Sequence, residues 1–375
     1  MTSSTPVNAA ASVLFEPFRL GPLELPTRVV MAPMTRNFSP GGVPGDDVVE
    51  YYRRRAAAGV GLIVTEGTTV DHPAASGYPG VPRFHGADAL AGWKRVVDAV
   101  HAAGAKIVPQ LWHVGNIRRG ANLPNPEVPA YGPSGKEKDG RVLVQEMTHE
   151  DIRAVIAAFA KAAADAKAIG MDGVELHGAH GYLIDQFFWE GSNRRNDEYG
   201  GDFERRSRFA IELVQAVRAA VGPEFPIIFR FSQWKQQDYG ARLAATPELL
   251  QAFLAPLCEA GVDIFHCSTR RFWEPEFDGS TLNLAGWTRK LTGKPTITVG
   301  SVGLDGEFIQ FMAETDKVAR PTGIEGLLER LSRGEFDLVA VGRALISDPD
   351  WASKVRDGRQ EEILPFSREA LKTLA

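Results

Sequence analysis

Cysteine is almost missing: Cys258 and Cys267 are the only two in 375 residues. Two thiols cannot build a disulfide scaffold, a four-cysteine zinc site or a cysteine-ligated iron–sulfur cluster, and their scarcity points to a reducing compartment. No stretch offers about 18 consecutive apolar residues, so no membrane-spanning helix is expected. Positive charge is not in excess either. Lys and Arg number 42 against 47 Asp and Glu, for a net charge of −5. That balance lacks the basic footprint of a nucleic-acid partner. The one short cationic run, Arg53, Arg54 and Arg55, reads as the solvated end of a helix. The first twelve residues carry neither a basic n-region nor an apolar h-region. A soluble, cytoplasmic protein is the expectation. No early Gly-x-Gly-x-x-Gly follows the first candidate strand, so a dinucleotide-binding half-domain has no support.

What the chain does have is alternation. Short apolar, β-branched runs lie at 28–34, 61–66, 106–111, 173–177, 226–231, 263–267, 296–299 and 338–341. Nearly continuous apolar character over four to seven residues predicts strands covered by helices on both faces. Amphipathic stretches separate them. Over 87–103, Leu90, Trp93, Val96, Val97 and Val100 share one stripe. Thr148 with Asp151 three residues on resembles a capping box, and Thr246-Pro247-Glu248 is a second helix start. Eight strand–helix units in order predict an α/β fold, a single (β/α)8 TIM barrel over 15–375 behind a flexible tail at 1–14. The length exceeds the typical ~250 residues of that fold, and the surplus falls in long connections at 112–147, 178–204, 232–246 and 268–283.

In such a barrel, chemistry gathers where strands end. Thr35, Gln110, Trp112, His113, His177, His180, Tyr182, Arg230, Ser301 and Arg343 all fall there. Gly300-Ser301 and Gly342-Arg343 follow strands seven and eight, where backbone N–H groups can cradle a phosphate; the glycines can equally serve only tight turns. A phosphate cradle, the neutral amide of Gln110 and a buried Arg230 together suit flavin mononucleotide. His177 and His180 can donate to one substrate oxygen, with Tyr182 as a proton donor. Two other readings stay open for that pair: histidines satisfied within a loop, and metal ligands acting with His113 in a barrel hydrolase.

Five stretches then carry a resemblance to the Old Yellow Enzyme family: MAPMTR at 31–36, PQLWHVG at 109–115, DGVELHGAHGYLIDQF at 172–187, SNRRNDEYGG at 192–201 and AVGRALISDP at 340–349. Their order and spacing match from about Phe15 to Asp357. The resemblance implies non-covalently bound FMN with NAD(P)H as transient hydride donor. It places Pro33, Met34, Thr35 and Gly67 along the flavin, with Gln110 and Arg230 on its pyrimidine edge. Gly300, Ser301, Gly342 and Arg343 would hold its phosphate. It gives His177 and His180 the substrate oxygen, makes Tyr182 the acid and lets Trp112 shape the pocket. The implied activity is ping-pong hydride transfer by way of flavin N5 to the activated C=C bond of an α,β-unsaturated carbonyl or nitro compound. Reduction of nitrate esters or nitroaromatics is the alternative on the same site; no metal is implied. The partner is a small molecule, and the oligomeric state is open between monomer and homodimer. His180 stands where many relatives carry asparagine, and Asn116 replaces a common arginine. Trp234, Phe272 and Trp273 lie in loops unlike those of the best-known members, where they either cap the pocket or pack the loops. SNRRNDEYGG, with Arg194, Arg195, Asp197 and Glu198, reads as a charge network that locks a loop.

Overall fold

The computed structural model describes residues 11–118, 123–135, 144–306 and 317–375. Eight strands close a barrel in chain order: β1 (Val29–Met31), β2 (Leu62–Thr69), β3 (Lys106–Trp112), β4 (Val174–His180), β5 (Ile227–Lys235), β6 (Ile264–Ser268), β7 (Thr296–Val299) and β8 (Leu338–Val341). Every neighbouring pair is parallel, and β8 returns to β1 with Val339 opposite Val29. The (β/α)8 TIM barrel expected from the alternation is the architecture found.

Val30, Leu62, Val64, Val108, Ile228, Ile264, Ile297 and Leu338 fill the barrel interior. Phe18, Leu23 and Leu25 join that cluster from an antiparallel hairpin, Phe18–Leu20 with Leu23–Leu25, which plugs one end. Of the expected tail at 1–14, residues 1–10 lie outside the described residues, and Ala11 and Leu14 are fully buried.

Helices cover the outside. In the helix Ala87–Ala102, Trp93, Val96, Val97 and Val100 point inward as the stripe predicted. Thr148 caps the helix His149–Ala168 in a reciprocal capping box with Asp151. Thr246 caps the helix Pro247–Ala260 by accepting from Leu249 N. No helix among the described residues is long and apolar enough to cross a membrane.

Strand limits differ from the sequence reading in a way that matters. β1 is shorter than expected, because Pro33 has no N–H to continue the ladder. β2, β4 and β5 run further, and β2 and β4 do so through register slips, between Val64 and Gly67 and between Gly178 and His180. Such bulges re-aim side chains at a barrel rim. His180 therefore stands on the strand itself, with His177, rather than in the loop beyond it.

Candidate active site

The slip in β4 builds the mouth of the barrel. Gly178 admits no side chain, since a Cβ there would fall 2.5 Å from the Phe229 ring. His180 then adopts φ of +64°, a conformation most side chains avoid. Its N–H donates to Ser232 Oγ at 3.0 Å, and its carbonyl accepts from Gln236 N. Its ring stacks on Trp234 with centroids 4.6 Å apart, and its Nε2 lies 2.8 Å from Ser268 Oγ. The His177 ring stands edge-on to it at 5.2 Å. Burial pushes both imidazoles well below the ordinary histidine range, and the Arg230 guanidinium adds to the effect. Each is neutral near pH 7, with one N–H to donate.

Tyr182 follows at the end of this segment, buried edge-on against Trp112 and His177, each 4.9 Å between centroids. Burial pushes its hydroxyl up, and neighbouring Tyr78 pushes it the same way. A phenol held protonated beside two neutral donors is suited to giving up a proton. Trp112 stacks on Tyr78 and keeps its indole Nε1 buried without a partner.

Below the histidines lies a buried polar layer. Arg230 donates from Nη2 to Ser268 Oγ at 3.3 Å, and its Nε has no partner. Gln110 donates to Glu175 Oε1 at 2.8 Å, and the other carboxylate oxygen lies 2.7 Å from His266 Nδ1. Burial lowers the Arg230 pKa, and the Glu175 charge opposes that. Glu175 was readable from sequence only as an acidic residue inside a strand. Its partner His266 gave no signal, since the contact joins β4 to β6 across 91 residues.

The remaining expected residues ring this layer. Pro33 and Met34 are partly buried and Thr35 is exposed, in the loop after β1. Glu66 pins that loop through one carboxylate oxygen, which accepts from Arg36 N at 2.8 Å and Asn37 N at 3.0 Å. Gly67 has no room for a side chain, because Trp112 would lie 2.5 Å from its Cβ. Gly300 has φ of +146°, and a Cβ there would meet Thr269 and Arg271 backbone within 3 Å. Ser301 is left-handed at φ of +49° and donates to the Arg270 carbonyl. Gly342 caps the short helix Arg343–Ser347, and Arg343 donates to the Gly306 carbonyl.

These residues fit FMN on observations of this structure. Arg230 Nε, His177 Nδ1 and Trp112 Nε1 are polar atoms sealed from solvent without partners among the described residues, an arrangement folded chains ordinarily avoid. The Gln110 carboxamide has one N–H held by Glu175, and its oxygen meets no donor among the described residues. The left-handed Ser301 after Gly300, and Gly342, lie at two strand ends, where a phosphate is commonly held in this fold.

Other sequence readings separate here. His113 does not join His177 and His180; its Nε2 lies 2.9 Å from His72 Nδ1, and its Nδ1 accepts from Gly115 N. Among the described residues, the group that could gather three metal ligands is His149, Asp197 and Glu198, outside the mouth. Trp234 reaches the mouth. Phe272 and Trp273 instead share a cavity with Ser301 and Arg330. Arg195 donates to the Pro133 and Met147 carbonyls and to Asp197, so SNRRNDEYGG does lock loops. Asn116 donates its N–H to Gln186, whose amide also binds the Val114 and Gly181 carbonyls.

Sequence reasoning missed the supports: Ser232, Ser268, Gln186 and the ion pair of Asp185 with Lys235. That pair is 2.6 Å apart with neither side chain exposed, and Asp185 also accepts from Gly181 N. It ties the turn carrying Tyr182 to β5. Asp185 and Gln186 stand within the quoted DGVELHGAHGYLIDQF stretch, which was the available signal.

The fold and site together define a (β/α)8 barrel whose mouth suits a flavin. The profile of the NADH:flavin oxidoreductase / NADH oxidase family matches residues 13–320, and the chain belongs to this FMN-binding, NADH-linked family, of the Old Yellow Enzyme type. The chain is 36% identical to an NADH oxidase of Thermoanaerobacter brockii over 364 residues, 93% of this chain and 52% of that protein. It is 33% identical to 12-oxophytodienoate reductase 7 of Oryza sativa subsp. japonica, covering 92% of this chain and 87% of that one. The chain thus spans about half the length of the first relative and most of the second. Morphinone reductase in complex with tetrahydroNAD superposes with a TM-score of 0.75 at 30% identity, over 92% of this chain and 91% of that one.

Proposed function

We propose that the chain is an NAD(P)H-dependent, FMN-dependent ene-reductase acting on α,β-unsaturated carbonyl or nitro compounds. The observation that carries this reading is the pair of neutral imidazoles beside a protonated phenol, in one mouth above a buried arginine. Bound FMN supplies the hydride chemistry that links the nicotinamide to the acceptor. Arg230 and Gln110 would hold its pyrimidine edge, and Ser301, Gly342 and Arg343 its phosphate. His177 and His180 bind the electron-withdrawing oxygen of the substrate. As the alkene accepts electrons, negative charge grows on that oxygen, and donors already aimed at it stabilise the transition state more than the ground state. Tyr182 then gives its hydroxyl proton to the α-carbon. Trp112 and Trp234 wall the mouth and exclude water, which strengthens these contacts.

Anaerobic absorption spectra of the purified protein test the proposal, adding NADPH and then 2-cyclohexenone. Flavin bands that bleach with NADPH and return with the enone are expected. Bleaching without return would move the substrate class to nitro compounds and nitrate esters, and no flavin bands after reconstitution with FMN would overturn the reading.

A further inference from the structure

Ser268 at the end of β6 touches two residues of the site from opposite sides. Its Oγ lies 3.3 Å from Arg230 Nη2 and 2.8 Å from His180 Nε2, and its residue is buried. Arginine only donates, so Arg230 takes a lone pair of this oxygen. The hydroxyl proton needs an acceptor, and His180 Nε2 is the one within reach. If His180 instead donated from Nε2, the serine oxygen would accept twice, and its buried proton would be left with no partner among the described residues. A buried donor left unpaired carries its full desolvation penalty, which selects one arrangement. His180 Nδ1 has no partner among the described residues, so it is the nitrogen left for a substrate oxygen.

We infer that Ser268 is a positioning residue: by donating to Nε2 it fixes His180 in the tautomer protonated at Nδ1. Without it, His180 is free to present a lone pair to the substrate oxygen and repel it. The Trp234 stack holds the same ring in plane and Ser232 holds the His180 backbone N–H, so the support is one assembly on β5 and β6. The relay also links Arg230, on the cofactor side, to His180, on the substrate side. The role in binding rests on the reading of His180 as an oxygen donor; the tautomer does not.

The test uses FMN-loaded protein labelled with ¹⁵N-histidine, with the His180 resonances assigned by their loss in His180→Ala. Wild type is expected to carry the His180 proton on Nδ1. Ser268→Ala should shift it toward Nε2 and weaken 4-chlorophenol binding about tenfold, equivalent to about 1.4 kcal/mol. Ser268→Thr, which keeps the hydroxyl, should restore both. A wild-type proton on Nε2 overturns the inference whatever the variants do. Unchanged affinity in Ser268→Ala, with affinity weakened in His180→Ala, overturns the role of Ser268. Unchanged affinity in His180→Ala overturns the oxygen-binding reading and leaves the tautomer result standing.

Discussion

Two arginine-centred clusters flank the chain that leaves β4, and they are finished differently. In the outer one, Arg195 spends its donors on the Pro133 and Met147 carbonyls and on Asp197, which also meets His149. Burial alone would raise the Asp197 carboxyl, but hydrogen bonds from Arg195 and His149 outweigh it and hold it below the usual range. In the inner cluster, Arg230 reaches one serine at 3.3 Å, and among the described residues neither its Nε nor His177 Nδ1 has a partner. Both clusters look alike as letters. A satisfied network holds a fold together, whereas a buried one with open valences is kept for a ligand.

That contrast can be broken or sharpened by experiment. The largest expected effect is at the mouth: Tyr182→Phe should slow alkene reduction about a thousandfold while reduction of the flavin by NADPH stays nearly normal. Stopped-flow measurement of the two half-reactions decides this, and equal losses in both would remove the tyrosine as the acid.

Next come two stability effects of similar size. Arg195→Ala should cost about 3 kcal/mol in urea unfolding, since it strands two buried carbonyls and Asp197. Wild-type-like unfolding would show that the outer cluster is no lock. Glu66 is raised by burial to about 7 despite its two backbone donors. A folded-state pKa above the unfolded one means stability present below the unfolded value and lost as pH rises through the folded value. Wild type should therefore fall by about 3 kcal/mol relative to Glu66→Gln between roughly pH 4.5 and 8. A flat difference curve would place the carboxyl in a better-solvated setting than the fold indicates.

Smaller again, His177→Ala combined with His180→Ala should weaken phenol binding by about 2 kcal/mol, the worth of hydrogen bonds to a developing anion; spectral titration measures it, and unchanged affinity would refute the oxygen-binding role. The smallest effect is the most pointed. Arg230→Met should leave the unfolding free energy of the flavin-free protein within about 1 kcal/mol of wild type, because an under-satisfied buried charge contributes little stability, yet flavin content should drop. A large stability loss would put Arg230 in the same class as Arg195.

Much of this was legible in advance, and the physical reasons are specific. A strand buried on both faces must be apolar throughout, so β7 and β8 were placed to the residue. A capping box spans four residues, so the start of the helix His149–Ala168 could be read locally. β4 was placed short by three residues, because the slip beyond Gly178 depends on how β5 packs beside it. The separation of His113 from the other histidines was likewise unreadable: it comes from His72, 41 positions away.

By itself, then, the order of apolar runs and turn residues determined the barrel, and the family's stretches determined which side chains crowd its mouth. Tertiary structure alone decided which of those polar groups are satisfied and which are held open. It did so through contacts between strands far apart in the chain, such as Glu175 with His266 and His180 with Ser268. Periodicity reports which face of a strand is buried, but a hydrogen-bond partner on another strand is set by the closure of the barrel.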